Sequence, residues 1–268
     1  MHKYLFLSAL AVPLAVAACD GRLMEPNGDS AVSVRFAASN PSASTGNAAA
    51  SQQAGSAAEF AIEGTNGTLT ITGVSFVVAE LELERLGSAC EADGEGSVCD
   101  DYKAAIAFVK LPMSGEAVTV ATDAVAPGDY HALDFEVKNL DADENDDSGK
   151  REEMLALLAA IRTTHGFTDF PEKASMVVEG TFTPTGGVAV AFRVYFDAEI
   201  EAEFELDPVL SVDGSTRSHV LTVDLQPMRW FERGDGTVVD LSRMDYSLTG
   251  LLFELDMEDG FGRVQLDD

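Results

Sequence analysis

From Val188 to Asp207 the chain alternates without interruption. Val188, Val190, Phe192, Val194, Phe196, Ala198, Ile200, Ala202, Phe204 and Leu206 keep one phase, while the other phase ends in Asp197, Glu199, Glu201, Glu203 and Glu205. A strict period of two marks a strand with one buried face. At about 3.3 Å per residue, one unbroken strand would far exceed the usual length of about 5 to 6 residues. The segment is therefore expected to bend, to cross between sheets or to break into two strands. Placed at a sheet edge, its ladder of acids would repel a neighbouring chain.

The same period recurs elsewhere. Ala31 to Ala37 alternates through Val32, Val34 and Phe36, and Thr68 to Leu86 reads as a long strand whose apolar phase shifts near Gly73 and again near Ala79. Such shifts predict bulges or a bend. Tyr102 to Leu111, Ala117 to Ala121 and Tyr130 to Val137 continue the pattern, with "APGDY" (126–130) as a turn. Ser218 to Gln226 and Val238 to Leu241 flank "WFERGDG", where Gly234-Asp235-Gly236 favours a tight turn, and Leu248 to Met257 is expected as the last strand. Arg233-Gly234-Asp235 also spells an adhesion tripeptide, but the glycines and acid around it make it read as that turn.

One segment has the helical period. Met154, Leu157, Leu158 and Ile161 fall at i, i+3, i+4 and i+7 between Lys150 and Thr164, and Gly166 supplies a stop. Many short strands with a single helix inserted at about 150–164 give a mainly β chain, an antiparallel β-sandwich.

The amino terminus carries an address. "MHKYLFLSALAVPLAVAAC" has a basic start, an apolar run too short for a membrane span of about 20 residues, and small residues before a cysteine. Val16-Ala17-Ala18-Cys19 resembles the bacterial lipoprotein lipobox. The resemblance implies cleavage before Cys19, acylation there, and a protein anchored to a membrane without spanning it. Residues 1–18 are then a signal peptide, and 19–58 a lipidated start with a first strand and a flexible Ala/Ser/Gly-rich stretch. Residues 59–268 form a single sandwich domain, which the strand at Ala31 to Ala37 is expected to rejoin.

With Cys19 lipidated, Cys90 and Cys99 remain in "CEADGEGSVC". An even remainder outside the cytoplasm reads as a disulfide. Closing so small a loop contributes roughly 2 to 3 kcal/mol on the chain-entropy model.

Charge bounds the partners. The chain has 17 Lys and Arg against 46 Asp and Glu; loss of Lys3 with the signal leaves 16 against 46, a net charge of −30. Nucleic acid and anionic headgroups are repelled by such a surface. Basic partners and divalent cations are compatible with it, as is a plain need for solubility.

"LDADENDDSGKREEML" (140–155) has the oxygen spacing of a calcium loop. With Asp141 as the first position, Asp143, Asn145, Asp147 (through its carbonyl), Gly149 (through a water) and Glu152 follow at the required offsets, just ahead of the helix. Asp146 stands where the loop normally has glycine, and Ser148 where it has an apolar anchor. The stretch reads either as a hydrated acidic loop or as a weak Ca2+ site held by Asp141, Asp143, Asn145, Asp147 and Glu152.

"LTITGVSFVVAELELER", the two cysteines, "KLPM", "APGDYHALDFEV", "ASMVVEGTF" and "VDLQPMRWF…GTVVDL" together resemble uncharacterised bacterial lipoproteins with a transthyretin-like or immunoglobulin-like β-sandwich. The resemblance covers most of the chain from Gly67 onward and implies the fold, with no catalytic signature to carry over. His131, His165 and His219 are scattered, and neither HExxH nor GxSxG occurs.

The expectation is a lipid-anchored binding or structural module of the cell envelope, facing the periplasm or cell surface, with no required cofactor and no nucleic-acid partner. An envelope protein or a glycan would be its ligand. The alternatives are a calcium-dependent adhesion or carbohydrate-binding module, with Trp230 and Phe231 as an aromatic platform, and an envelope hydrolase.

Overall fold

A computed structural model of the chain describes residues 30–39, 59–86, 102–141, 148–214, 218–255 and 260–267. Two sheets face each other. One has the strand order β13-β11-β1-β6, built from β1 (Ser30–Ala38), β6 (Ala117–Val125), β11 (Ser218–Leu225) and β13 (Phe261–Asp267). β1 pairs in parallel with β11 and antiparallel with β6, so it lies inside the sheet and belongs to the folded unit.

The second sheet is organised on β3 (Gly67–Arg85). Along one edge β3 carries β8 (Met176–Pro184) and then β7 (Gly128–Val137); along the other it carries β2 (Phe60–Gly64), β5 (Ala107–Leu111) and β4 (Tyr102–Lys103). Its pairing register slips between Ile71 and Gly73 and between Val78 and Glu80, where the apolar phase of the sequence shifts. The bulges let one long strand serve short partners placed end to end.

The long alternating segment breaks into two strands of this same sheet. β9 (Val190–Ala198) pairs with β8 and β10 (Ile200–Val212) with β7, with Glu199 alone between them. β10 ends the strand order and so is an edge, as its acids predict. Its ladder is interrupted between Glu205 and Leu210, across Pro208, which has no amide hydrogen to donate.

Three expectations are corrected. The sandwich is not purely antiparallel, because β1 with β11, and β9 with β12 (Phe253–Leu255), run parallel. Residues 238–241 do not form a strand: Val238 makes one isolated bridge to Glu232 across the 233–236 turn, and a 3-10 turn follows at Leu241–Arg243. The last strand is β13 rather than 248–257, where a short helix α2 (Tyr246–Thr249) precedes β12. Asp245 holds that helix by accepting from the Ser247 amide at 2.7 Å and from the Arg193 amide on β9 at 3.2 Å.

The main core fills the space between the sheets. Phe36 of β1 stacks on Phe76 of β3 and meets Phe135 of β7, with centroids 5.9 and 5.1 Å apart. Trp230 and Phe231 are buried in this core, which removes them as an exposed platform.

The inserted helix α1 (Ser148–Thr163) packs on the outer face of the second sheet. Leu158 and Ile161 join Val77 of β3, Val177 of β8 and Tyr195 of β9 in a separate core, closed by Phe167 and Phe170. The outer face is thus divided. Its β8–β9 half is apolar and covered by α1, while its β7–β10 half carries acids.

Candidate functional site

A groove of about 390 Å³ opens where the helix and the acidic half meet. Its floor is Ala79 at the second bulge of β3, Ala104, Ala105 and Ile106 between β4 and β5, and the end of β7; α1 supplies Lys150, Glu153 and Met154 as one wall. The three alanines explain the space, since larger side chains at these positions would fill it. Leu140 is buried in the second core and pins the segment after β7 beneath the helix.

Charge around the groove is paired. Lys103 Nζ lies 2.9 Å from Glu80 and 2.6 Å from Glu82; these carboxylates raise its pKa, and Lys103 in turn holds the Glu80 carboxyl below its ordinary value. Lys138 Nζ lies 3.3 Å from Glu136 and 3.4 Å from Glu199, which raise its pKa. Asn139 fixes the corner, donating to Asp197 at 2.8 Å and accepting from the Asp141 amide at 3.2 Å. The lining can therefore offer an apolar floor together with ion pairs of both signs.

Of the expected calcium ligands, Asp141 lines this groove and its carboxylate lies 3.2 Å from Lys173 Nζ. Glu152 is exposed on the second turn of α1. Asp143, Asn145 and Asp147 lie outside the described residues, as do Cys19, Cys90 and Cys99. Among the described residues no group of three or more His, Cys, Asp and Glu is placed to hold a metal ion.

The structure does not assemble the histidines. His131 faces Glu84 at 3.5 Å, and His165 packs edge-on against Phe108 with its pKa lowered by burial and then by Lys110. His219, on β11, belongs to the other sheet. Arg233-Gly234-Asp235 forms the expected turn, closed by the Gly236 amide on the Arg233 carbonyl at 3.0 Å, and Asp235 Oδ1 accepts from the Thr237 amide and hydroxyl.

Among the described residues no helix is long and apolar enough to cross a membrane. The groove was not foreseen from sequence, because its lining comes from four separated segments, and the spacing of Ala79, Ala104 and Ala105 carries no periodic signal. Compared with protein-family models, with curated proteins and with solved structures, the chain gave no match.

Proposed function

We propose that this chain is a lipid-anchored protein of the cell envelope, held through Cys19, whose sandwich presents a peptide-binding groove beneath α1. The observation that carries the binding role is the groove itself: its size falls within the range of about 300 to 1,000 Å³ that ligand sites occupy. Its lining argues for a short segment of an envelope protein with an apolar side chain for the Ala104–Ile106 floor and charges to exchange with the Lys103 and Lys138 pairs. A neutral glycan would leave those pairs unused.

Calorimetric titration with short peptides of mixed charge tests the reading, with neutral oligosaccharides as comparison. Peptides should bind, and Ala105→Trp, which fills the floor, should abolish binding while the fold is retained. Binding untouched by Ala105→Trp, or binding of the sugars alone, rejects the peptide groove. Mass spectrometry of the membrane fraction tests the anchor separately: an unacylated Cys19 removes it.

Calcium is the second reading, favoured by the position of Asp141 on the approach to α1, with the residue's own amide turned onto Asn139. A cation bound there would replace Lys173 at the Asp141 carboxylate.

A further inference from the structure

Eight carboxylates stand in register on the outer face of the second sheet. Glu80, Glu136 and Glu201 form one row across β3, β7 and β10, and Glu82, Asp134 and Glu203 form the next. In the third row Ala132 separates Glu84 from Glu205. Like charges directly opposite one another on neighbouring strands are destabilising. Asp134 is placed worst, with an acid opposite it on both sides and the Glu84 carboxyl within hydrogen-bonding reach.

The cations on this face go elsewhere. Lys103 from β4 sits on Glu80 and Glu82, Lys138 beyond the end of β7 on Glu136 and Glu199, and His131 on Glu84. Among the described residues none pairs with Asp134 or Glu203. Asp134 Oδ1 is buried and has no hydrogen-bond partner. An ionised carboxylate in this position has neither a counter-charge nor a full set of donors. A protonated one meets the neighbouring Glu84 as an O–H donor to a carboxylate, among the stronger hydrogen bonds.

We propose that Asp134 and Glu84 form a proton-binding site at the centre of this ladder, sharing one proton drawn from solvent, and that proton uptake tightens the pairing of β3, β7 and β10. The electrostatics agree with the geometry. Burial first, then the hydrogen bond to Glu84 and the charges of Glu84, Glu203 and Glu82, push the Asp134 carboxyl from its ordinary 3.8 up to about 7.

The sign follows from linkage. Between pH 3.8 and about 7 the folded chain holds a proton at Asp134 that the unfolded chain has lost. Stability contributed by this site therefore falls as pH rises across that window and levels off above it. The proposal goes beyond the binding groove and does not depend on it.

The test is a carbon-13 titration of the Asp134 carboxyl in the full chain in detergent solution, together with melting curves at pH 5.5 and pH 8. The carboxyl should titrate near pH 7, and the wild type should melt higher at the acidic pH. Asp134→Asn should melt above wild type at pH 8 and lose most of the pH dependence. Glu203→Gln should move the titration to lower pH, and Glu63→Gln on β2 should leave it in place. His131 lies 3.5 Å from Glu84, so His131→Gln is run in parallel; it should leave the Asp134 midpoint near neutrality. An Asp134 carboxyl that titrates near its ordinary value overturns the proposal, whether or not the variants fold. An unchanged pH dependence in a folded Asp134→Asn protein overturns it as well.

Discussion

The Tyr195 hydroxyl donates to Asp169 Oδ1 at 2.8 Å, and by that bond the segment following α1 is tied to β9. The Tyr195 ring is fully buried, edge-on to Phe170 at 5.4 Å and to Tyr246 at 4.8 Å. Its ring belongs to the core beneath the helix, while its oxygen reaches a carboxylate that Arg193 also approaches at 3.5 Å. Tyr195→Phe keeps the ring and removes the bond, so it should cost about 0.5 to 1.5 kcal/mol in urea unfolding at pH 8. Burial and then Asp169 raise the phenol above its ordinary pKa of 10, so the stability it adds is present below pH 10 and is lost as pH rises beyond it. Between pH 8 and pH 10.5 the wild type should therefore lose more stability than Tyr195→Phe.

Gly180 sits in β8 between Ile71 of β3 and Phe192 of β9. A Cβ there would come within 2.0 Å of the Thr70 carbonyl oxygen and 2.9 Å of Phe192 Cζ. Gly180→Ala must push two strands apart beside the first bulge of β3. A loss of at least about 1 to 3 kcal/mol, as for other overpacked cores, is expected from the urea midpoint. An unchanged midpoint would show that the backbones do not approach so closely.

Calcium has a measurable competitor in Lys173. Lys173→Met frees the Asp141 carboxylate of its 3.2 Å partner and should tighten calcium binding, while Asp141→Ala should abolish it. The wild-type site should be weak, roughly 10⁻⁴ to 10⁻³ M, as in extracellular modules. No heat at millimolar calcium in either the wild type or Lys173→Met removes the calcium loop.

β1 should prove indispensable. Without it β6 loses the partner it has among the described residues, and β11 keeps only β13. A chain starting at Glu59 also lacks Val32, Val34 and Phe36, all buried between the sheets. Its amide proton spectrum should show the poor dispersion of an unfolded chain, whereas one starting at Gly28 should remain folded.

What sequence could show was local. The β3 bulges were legible because a bulge changes which residues face the core, and the apolar phase records it at Gly73 and Ala79. The break near Glu199 followed from length. The parallel pairing of β1 with β11 left no such trace, because Val34 and Leu221 meet across most of the chain. β13 was missed although Val264 and Leu266 alternate with Arg263, Gln265 and Asp267: the run is short, and the partner that makes it a strand, β11, is distant in sequence. At the site, Asp141 could be picked out as an oxygen ligand, but its neighbours in the groove come from β3, from β4 and the connection that follows it, and from α1. The crowding of Asp134 is invisible without the registers that set Glu82 and Glu203 on either side of it.

The interior position of β1 also decides how the domain bears force. A pull arriving through Ser30 runs along the strand, with β11 hydrogen-bonded on one side and β6 on the other. It loads both ladders in shear, many bonds at once, where an edge strand pulled from its end could be peeled away one bond at a time. A tether attached at this end would hold the domain by a strand seated between two neighbours.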